Sequence, residues 1–421
     1  MVYINFKNTY FFWVFILLFG LISCGNKSST TNYQKNTKIV QNSTHDKLSY
    51  NDNVRPIVIS YPVNYLHLLE QKVVAIVANQ TSVVQNSNQG FTHLIDTLIS
   101  LKIDVKKVFA PEHGFRGKAD AGEHISDGKD PKTGLSITSL YGKNRKPSPE
   151  QLKGIDVIIF DIQDVGVRFY TYISTLHYVM EACVENNIQL IVIDRPNPNA
   201  HYIDGPILET EYKSFVGMHP IPIVYGMTIG EYAQMINGEK WLKDSLQCDL
   251  TVMPLKNYTY STNYSLPIKP SPNLPNDKSI NLYPSLCLFE GTTISAGRGT
   301  DMQFQIFGAP YLPNEKFTFH FTPQANEGAK YPKFKDELCY GQDLRQYKNL
   351  NMLNLNWLID AYEVTANKET FFNKFITRLA GTKKLQQQIE NGLTADEIRK
   401  TWHDDLEKFK TVRSKYLIYG K

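Results

Sequence analysis

The sequence predicts an α/β fold in which a Rossmann-like parallel sheet domain is followed by a smaller α+β C-terminal domain. Short apolar runs alternate with segments of helical periodicity between about residues 55 and 256, which is the pattern of successive βαβ units. Several of these runs end abruptly in polar loops, as strands do at the ligand-binding edge of open α/β sheets. A proline-dense stretch at 269–275 marks a boundary, and beyond it the chain changes to aromatic strand-like pieces and helices.

Charge and motif content argue against a nucleic-acid partner and against a cofactor. Of the 421 residues, 42% are hydrophobic and 20% charged, which predicts a mainly globular chain. The formal net charge of +4 lacks the basic excess of a nucleic-acid binder, so no nucleic-acid partner is expected. No GxGxxG phosphate loop follows any predicted strand, so we expect no dinucleotide and no other cofactor.

The first 54 residues are predicted to lie outside the folded domains. Lys7 precedes an apolar run at 10–22, which is shorter than the about 20 residues of a membrane-spanning helix. The run leads into Ser23, Cys24 and Gly25, which resembles a bacterial lipobox with Cys24 as the lipidated residue. We therefore predict a lipoprotein signal peptide at 1–23 and a disordered tether, rich in Ser, Thr, Asn, Gln and Lys, at 24–54. The alternative is a plain secretory peptide with an unlipidated Cys24.

The sheet domain is predicted over 55–268 and the C-terminal domain over 269–421. Strands are expected at 73–78, 105–110, 155–160, 190–193, 221–224 and 249–255, and helices at 92–101, 170–186 and 228–241. Thr228 and Glu231 form a capping-box pattern at the last of these helices. The stretch 118–149 is predicted to be a long functional loop. In the C-terminal domain a strand is expected at 317–321 and helices at 344–366, 371–388 and 395–416.

The functional centre is predicted at 105–123, where a strand-like run passes through Pro111 into Glu112, His113 and Gly114. A strand that ends in a carboxylate and an imidazole on a glycine-rich loop is typical of an active site in this fold. The alternative is a polar loop that only turns the chain. Other predicted strands end in a similar way, at Asn79, at Asp161, Asp164 and Arg168, and at Arg195 and Asn197. If the sheet is parallel, these groups converge on one edge.

Paired carboxylates at such an edge favour glycoside hydrolysis, in which one carboxyl group donates a proton and the other acts as nucleophile, base or stabiliser. Glu112 with Asp164, or with Asp161, could supply the pair. Glu290 and Asp301 from the C-terminal domain are expected to close over the same cleft.

Arg116, Arg168 and Arg298 lie near these groups in the sequence. We expect them to bind an anionic group of the substrate by bidentate hydrogen bonds. The structural alternative for each arginine is a salt bridge that holds a loop. For Asp161 the alternative is a carboxylate that caps a loop.

Two rival chemistries are weaker. His113, Asp120, Glu123 and His124 lie close in sequence and could ligate a cation, but no HExxH helix is present. No GxSxG elbow occurs either. Cys183, Cys248, Cys287 and Cys339 form no CxxC pair, and the sequence leaves their disulfide state open.

Many-residue motifs run in order along the chain from about residue 55. They are PEHGFRG (111–117), ADAGE (119–123), SLYG (139–142), FDIQDVGVRFYTYIST (160–175), IDRPNP (193–198), GPIL (205–208), SFVG (214–217), PIPIVYGMTIGEYA (220–233), PSPNLP (270–275), LFEGTTISAGRGTD (288–301) and FGAP (307–310). This set resembles the NamZ family of exo-acting β-N-acetylmuramidases of peptidoglycan.

The resemblance implies release of N-acetylmuramic acid from the non-reducing ends of peptidoglycan fragments, in a cleft between a Rossmann-like domain and a smaller domain. It implies that the catalytic glutamate is Glu112, with MurNAc-GlcNAc fragments as substrates and a lactyl carboxylate for the arginines to bind. We expect Glu112, Asp164 and His113 to be catalytic, with Asp164 inferred from strand-end geometry. The expected substrate-binding residues are Asn79, Arg116, Glu123, Arg168, Tyr170, Arg195, Asn197, Glu290, Arg298 and Asp301, and no metal is expected. The lipobox predicts a lipid-anchored chain in the cell envelope, facing the periplasm. The alternative from another class is a non-catalytic muropeptide-binding lipoprotein.

Overall fold

The computed structural model describes residues 37–39, 59, 61–86, 90–115 and 127–420. The predicted signal peptide, most of the predicted tether and the lipobox residue Cys24 lie outside this part. So do Arg116 and Glu123, together with Asp120 and His124 of the metal alternative.

The described residues form strands and helices that alternate through the first two thirds of the chain. In chain order the strands are β1 (Thr37–Ile39), β2 (Val73–Ala78), β3 (Val83–Gln85), β4 (Phe91–His93), β5 (Asp104–Ala110), β6 (Gly128–Lys129), β7 (Ser136–Ser139), β8 (Val157–Asp161), β9 (Gln189–Ile193), β10 (Leu250–Met253), β11 (Ile306–Ala309), β12 (Phe319–Phe321) and β13 (Cys339–Asp343). The α-helices are α1 (Leu94–Ser100), α2 (Pro149–Leu152), α3 (Tyr172–Glu185), α4 (Ile229–Gly238), α5 (Asp277–Leu286), α6 (Asn356–Val364), α7 (Ile376–Ala380), α8 (Lys384–Glu390), α9 (Ala395–Thr401) and α10 (His403–Arg413).

The central sheet has the strand order β1-β10-β9-β8-β2-β5-β7-β6. Neighbours pair in parallel, apart from the antiparallel contact of β6 with β7. Successive residues of its inner strands enter hydrophobic cores on opposite faces. Phe160 of β8 packs in one core and Ile159 in the other. Burial on both faces explains why these strands read as continuous apolar runs, and it confirms the predicted Rossmann-like sheet.

The predicted order of strands and helices in this half is mostly confirmed, with three differences. Residues 221–224 form no ladder, because Val224 makes only isolated bridges with Val167 and Asp204. The predicted loop 118–149 contributes β6, β7 and α2, of which β7 lengthens the sheet beside β5. The predicted tether contains β1, which pairs with β10 at the edge of the sheet.

The predicted capping box is present, since the Thr228 side chain accepts a hydrogen bond from the Glu231 N–H at the start of α4. The Glu231 carboxylate in turn accepts one from the Thr228 N–H at 2.9 Å. The two reciprocal bonds satisfy donors that a helix otherwise leaves free at its first turn.

The C-terminal part combines the antiparallel sheet β11-β13-β12 with helices α6 to α10, as the sequence predicts. The helices are shorter than expected, and the one predicted over 371–388 is divided at Gly381, which is left-handed at φ 75° and ends α7. The larger hydrophobic core runs through both predicted domains, from Ala75 to Phe409, so the boundary at 268/269 stays a prediction. Among the described residues, no helix is both long and apolar enough to cross a membrane.

A buried guanidinium joins the two parts of the chain. Arg168 follows β8 and is 0% exposed. Its Nη1 donates to the carbonyls of Pro206 (2.8 Å) and Ile221 (2.7 Å). Its Nη2 donates to those of Leu379 (2.9 Å) and Ala380 (2.6 Å) at the end of α7. Both terminal nitrogens are thus used inside the protein.

We predict that Arg168→Lys lowers the free energy of unfolding by more than about 2 kcal/mol. A lysine keeps the charge but cannot span four carbonyls, and each buried carbonyl left without a donor costs about 1–3 kcal/mol. Urea unfolding measures the change.

The control is Arg345→Lys, because Arg345 is about half-exposed and pairs with Asp343 on the surface. Its loss is expected to stay within about 0.5 kcal/mol. Equal losses in the two variants would contradict the structural role of Arg168.

Candidate active site

A cavity of about 640 Å³ lies at the carboxyl end of β5, beside the start of α3. This volume is within the roughly 300–1,000 Å³ of typical ligand pockets. Residues from before and from after the proline-dense stretch both line the cavity. The lining comprises Glu112, His113, Tyr141, Arg145, Phe169, Tyr170, Thr171, residues 211–216, Ser271, Asn273, Leu274, Tyr283, Cys287, Glu290, Arg298, Phe304, Phe375, Thr377, Arg378 and Leu379.

Glu112 reaches the cavity through a tight turn that follows β5. The turn is closed by a hydrogen bond from the Gly114 N–H to the Pro111 carbonyl at 3.0 Å. His113 within the turn is left-handed at φ 69°, a conformation that is uncommon for residues other than glycine. Such backbone strain clusters at functional sites and persists only where the surroundings enforce it. The turn leaves both Glu112 and His113 more than nine-tenths buried and facing the cavity.

The Glu112 carboxylate is held by a residue from the next βα connection. Thr171, at the N-cap of α3, makes no side-chain cap hydrogen bond. Its hydroxyl instead donates to Glu112 Oε2 at 2.5 Å. A hydrogen bond between two buried groups fixes the rotamer of the carboxylate, so Glu112 is oriented as well as placed.

Aromatic rings form a wall beside Glu112. Tyr283 lies edge-on to Phe169, Tyr170 and Phe304, with ring centroids 5.5, 5.9 and 4.9 Å away. The hydroxyl of Tyr170 donates to the Pro270 carbonyl at 2.9 Å. This bond ties the start of α3 to the beginning of the C-terminal part.

The cavity lining also includes charged side chains, among them Glu290 and Arg298. Glu290 lies on the 3-10 helix Cys287–Gly291, which continues from α5, and its side chain is half-buried. Arg298 is also half-buried and donates from Nη2 to the Gly328 carbonyl at 3.0 Å. Glu290 and Arg298 both line the cavity, and their roles in substrate binding stay predictions.

Several predicted site residues converge on the same sheet edge but lie outside the cavity lining. Arg195 donates from Nε and Nη2 to the two oxygens of Asp161, at 2.6 and 2.9 Å, and both side chains are at most 3% exposed. This geometry fits the structural alternative for Asp161 and differs from the substrate-binding role expected of Arg195. Arg168 presents no N–H to the cavity.

The two predicted asparagines are also buried. Asn79 Oδ1 accepts from the Thr81 N–H and hydroxyl, at 2.9 and 2.6 Å. Asn197 Nδ2 donates to the Met227 carbonyl at 2.8 Å. These bonds shape the loops that follow β2 and β9. Asp301 is exposed and outside the lining.

Asp164 lies outside the cavity lining, and this placement differs from its expected role as the second carboxylate. Its Oδ2 accepts from the Gly166 N–H at 2.6 Å and from the Tyr225 hydroxyl, whereas its Oδ1 is buried without a hydrogen-bond partner. Burial raises the pKa of Asp164 to about 6, although the bonds from Tyr225 and Gly166 oppose the rise.

The cavity also contains residues that the sequence reasoning did not single out, among them Tyr141, Arg145, Phe215, Tyr283 and Arg378. Arg145 stacks over the Phe215 ring at 4.5 Å, and Phe215 lies edge-on to Tyr141. Tyr141 belongs to the SLYG motif and Phe215 to the SFVG motif, so the family motifs could have identified both as site residues. Arg145 and Arg378 stand in no such motif.

The described residues include no group of three or more His, Cys, Asp or Glu side chains arranged to hold a metal ion. Of the four residues in the metal alternative, His113 is described and the other three lie outside the described part. Cys183, Cys248, Cys287 and Cys339 are all buried free thiols.

We predict that Asp164 makes the protein less stable as pH rises. Its folded pKa of about 6 exceeds the ordinary unfolded value of about 3.9. Its stabilising contribution is complete below pH 4 and is lost as pH rises through 6, which amounts to about 3 kcal/mol. Asp164→Asn should therefore gain stability relative to the wild type between pH 4.5 and 8.

Chemical unfolding at a series of pH values measures this difference, with the exposed Asp405→Asn as control. A constant difference between Asp164→Asn and the wild type across the window would refute the prediction.

Comparison with known proteins supports the motif resemblance. A model described as "Exo-beta-N-acetylmuramidase NamZ, N-terminal" matches residues 74–278, and its C-terminal counterpart matches residues 281–419. The chain is 38% identical over 376 residues to the peptidoglycan beta-N-acetylmuramidase NamZ of Bacillus subtilis strain 168. That alignment covers 85% of this chain and 89% of the relative.

Solved structures agree with this match. A DUF1343 family protein of Bacteroides fragilis aligns with a TM-score of 0.79 and 46% identity, over 87% of this chain and 99% of its own. A second DUF1343 protein of that organism aligns with a TM-score of 0.72 and 30% identity, over 84% and 96%. The resemblance drawn from the motifs is thereby confirmed: the chain belongs to the NamZ family of exo-β-N-acetylmuramidases, which are glycosidases.

Proposed function

We propose that this chain releases N-acetylmuramic acid from the non-reducing ends of peptidoglycan fragments, with Glu112 as the general acid. The observation that carries the proposal is the placement of Glu112. It is a buried carboxylate at the carboxyl end of a parallel strand, oriented by Thr171, on the wall of a ligand-sized cavity. Family membership supplies the substrate class.

Glu112 protonates the bridging glycosidic oxygen as the bond to the anomeric carbon breaks. The Thr171 hydroxyl donates to Glu112 Oε2 and so orients the carboxyl group on the cavity wall. His113 shares the same turn and lines the same cavity, so it lies where it can contact the departing sugar or the carboxyl group. The strained turn holds both side chains in place before substrate arrives.

The cavity serves as the cleft between the two predicted domains. Its aromatic wall, built around Tyr283, packs against the apolar face of the sugar ring. Tyr170 belongs to this wall and contacts substrate.

Arg298 binds the lactyl carboxylate that distinguishes N-acetylmuramic acid from N-acetylglucosamine. Support comes from its position in the cavity lining and from its half-buried side chain. Arg116 and Glu123, outside the described residues, stay candidates for the same sugar because the PEHGFRG and ADAGE motifs adjoin the Glu112 turn.

We predict that Glu112→Gln lowers kcat on a MurNAc-GlcNAc disaccharide by about 10²- to 10⁴-fold, because the amide keeps the shape but cannot give the proton. Release of the free sugars, followed by chromatography, measures the rate. The matched control is Glu315→Gln, an exposed glutamate outside the cavity lining.

The specificity arm uses two chromogenic substrates, a β-N-acetylmuramide and the matching N-acetylglucosaminide. Hydrolysis of the muramide alone supports the proposal. No release from either substrate, with the disaccharide also intact, favours the muropeptide-binding lipoprotein. Loss of activity in EDTA would favour the metal-dependent alternative.

The chain is anchored in the cell envelope through a lipid on Cys24 and faces the periplasm. This rests on the lipobox-like sequence and the polar segment that follows it.

We predict that Cys24→Ser moves the expressed protein from the membrane fraction to the aqueous fraction of a bacterial host, since the variant loses the acylated thiol. Western blotting after fractionation measures the distribution. Membrane association that survives the substitution would refute the lipid anchor.

A further inference from the structure

The cavity contains a second carboxylate whose charge the protein does not neutralise by direct contact. Glu290 lines the same cavity as the Glu112 turn and lies on a segment that follows the proline-dense stretch. Within the described part of the chain, no side chain or backbone N–H makes a hydrogen bond or ion pair to its carboxylate. The side chain is half-buried and therefore accessible from the cavity.

The backbone that carries Glu290 is held firmly. Lys333 Nζ donates to three carbonyls around it, those of Phe289 (2.9 Å), Thr292 (2.8 Å) and Ile294 (3.0 Å). Asn373 adds a bond from Nδ2 to the Glu290 carbonyl at 3.1 Å. Functional side chains are best carried by a rigid backbone. The Glu290 backbone is held in this way, while its carboxylate makes no hydrogen bond among the described residues.

Close packing on the outer side completes this support. The Asn373 N–H donates to the Gly291 carbonyl at 3.0 Å. A Cβ atom on Gly291 would lie 2.6 Å from Ile376 Cα, so only glycine fits between this segment and α7. The position of Glu290 is thus set by the packing of the C-terminal part.

Electrostatics connect Glu290 with Glu112. Burial raises the pKa of the Tyr283 hydroxyl, and the nearby Cys287, Glu112 and Glu290 raise it further. The charges of Glu112 and Glu290 therefore both affect the pKa of the same hydroxyl, that of Tyr283. Burial also lowers the pKa of Lys333, and the negative charge of Glu290 opposes that change.

Asp164, which the sequence suggested as the second carboxylate, differs from Glu290 in position and in hydrogen bonding. It lies outside the cavity lining, and its Oδ2 is engaged by Gly166 and Tyr225. Glu290 thus lines the same cavity as Glu112, whereas Asp164 does not.

We propose that Glu290 is the second catalytic carboxylate, acting as general base opposite Glu112. The proposal rests on the glycosidase function proposed above and deepens it. Glu290 removes a proton from water as the water oxygen bonds to the anomeric carbon. The bond from that carbon to the bridging oxygen breaks, its electron pair stays on the bridging oxygen, and that oxygen takes the proton of Glu112.

The test compares Glu290→Ala and Glu112→Gln in the full-length chain on two substrates that share the muramic acid. A 4-nitrophenyl muramide has a leaving group that departs without a proton, whereas the MurNAc-GlcNAc disaccharide needs one. Glu290→Ala is expected to lose about 10²- to 10⁴-fold in kcat on both substrates. Glu112→Gln should lose far more on the disaccharide than on the nitrophenyl compound.

Sodium azide provides a readout that a structural role would not move. Azide is a nucleophile that needs no base, so it should restore turnover of Glu290→Ala on the nitrophenyl substrate and give a muramyl azide. The exposed Glu315→Ala serves as control, and circular dichroism checks that each variant is folded.

Three results would overturn the proposal. An increase in KM with unchanged kcat in Glu290→Ala would make Glu290 a binding residue. A folded, slow variant that azide does not rescue would remove the base role. A wild-type chain that hydrolyses neither substrate would instead end the glycosidase function itself, and with it this assignment.

Discussion

The cavity keeps its shape because one guanidinium is shared by four backbone carbonyls. Arg168 connects loops around the sheet edge with the end of α7, and Leu379, one of its acceptors, also lines the cavity. Gly381 follows directly, and a Cβ there would lie 2.7 Å from Arg168 Nη2. The two walls of the site are therefore positioned by buried hydrogen bonds rather than by the surface loops.

Glu112 depends on the same principle of support from distant sequence. Its orientation comes from Thr171, 59 positions later in the chain. Thr171 in turn sits between Tyr170 and Tyr172, whose hydroxyls both donate to the Pro270 carbonyl, at 2.9 and 3.2 Å. A carboxylate on a strand end, a helix start and the beginning of the C-terminal part thus form one connected unit.

The sequence predicted the parallel sheet and the placement of Glu112 because both follow from local patterns. Strands buried on both faces read as apolar runs, and parallel strands leave the sheet at one edge. It could not separate cavity residues from buried ones at that edge. Asp161 and Arg195 are 34 positions apart, and only the folded chain shows that they neutralise each other.

The same limit explains Asp164, whose burial depends on Tyr225 and on the loop that carries it. In the C-terminal part, the helix predicted over 371–388 ran across Gly381, where the backbone turns left-handed and α7 ends. That glycine was visible in the sequence, but periodicity outweighed it. The prediction of a strand at 221–224 was wrong, because apolar content does not show whether a neighbouring strand is available for pairing.

The two family models meet inside a single helix. The first ends at residue 278 and the second begins at 281, while α5 runs from Asp277 to Leu286, carries Tyr283 and continues into the 3-10 helix that carries Glu290. A cut between the modules would sever this helix and divide a continuous core. The halves are thus poor units for recombination, and over evolution they should be inherited together, with neither exchanged for a foreign counterpart.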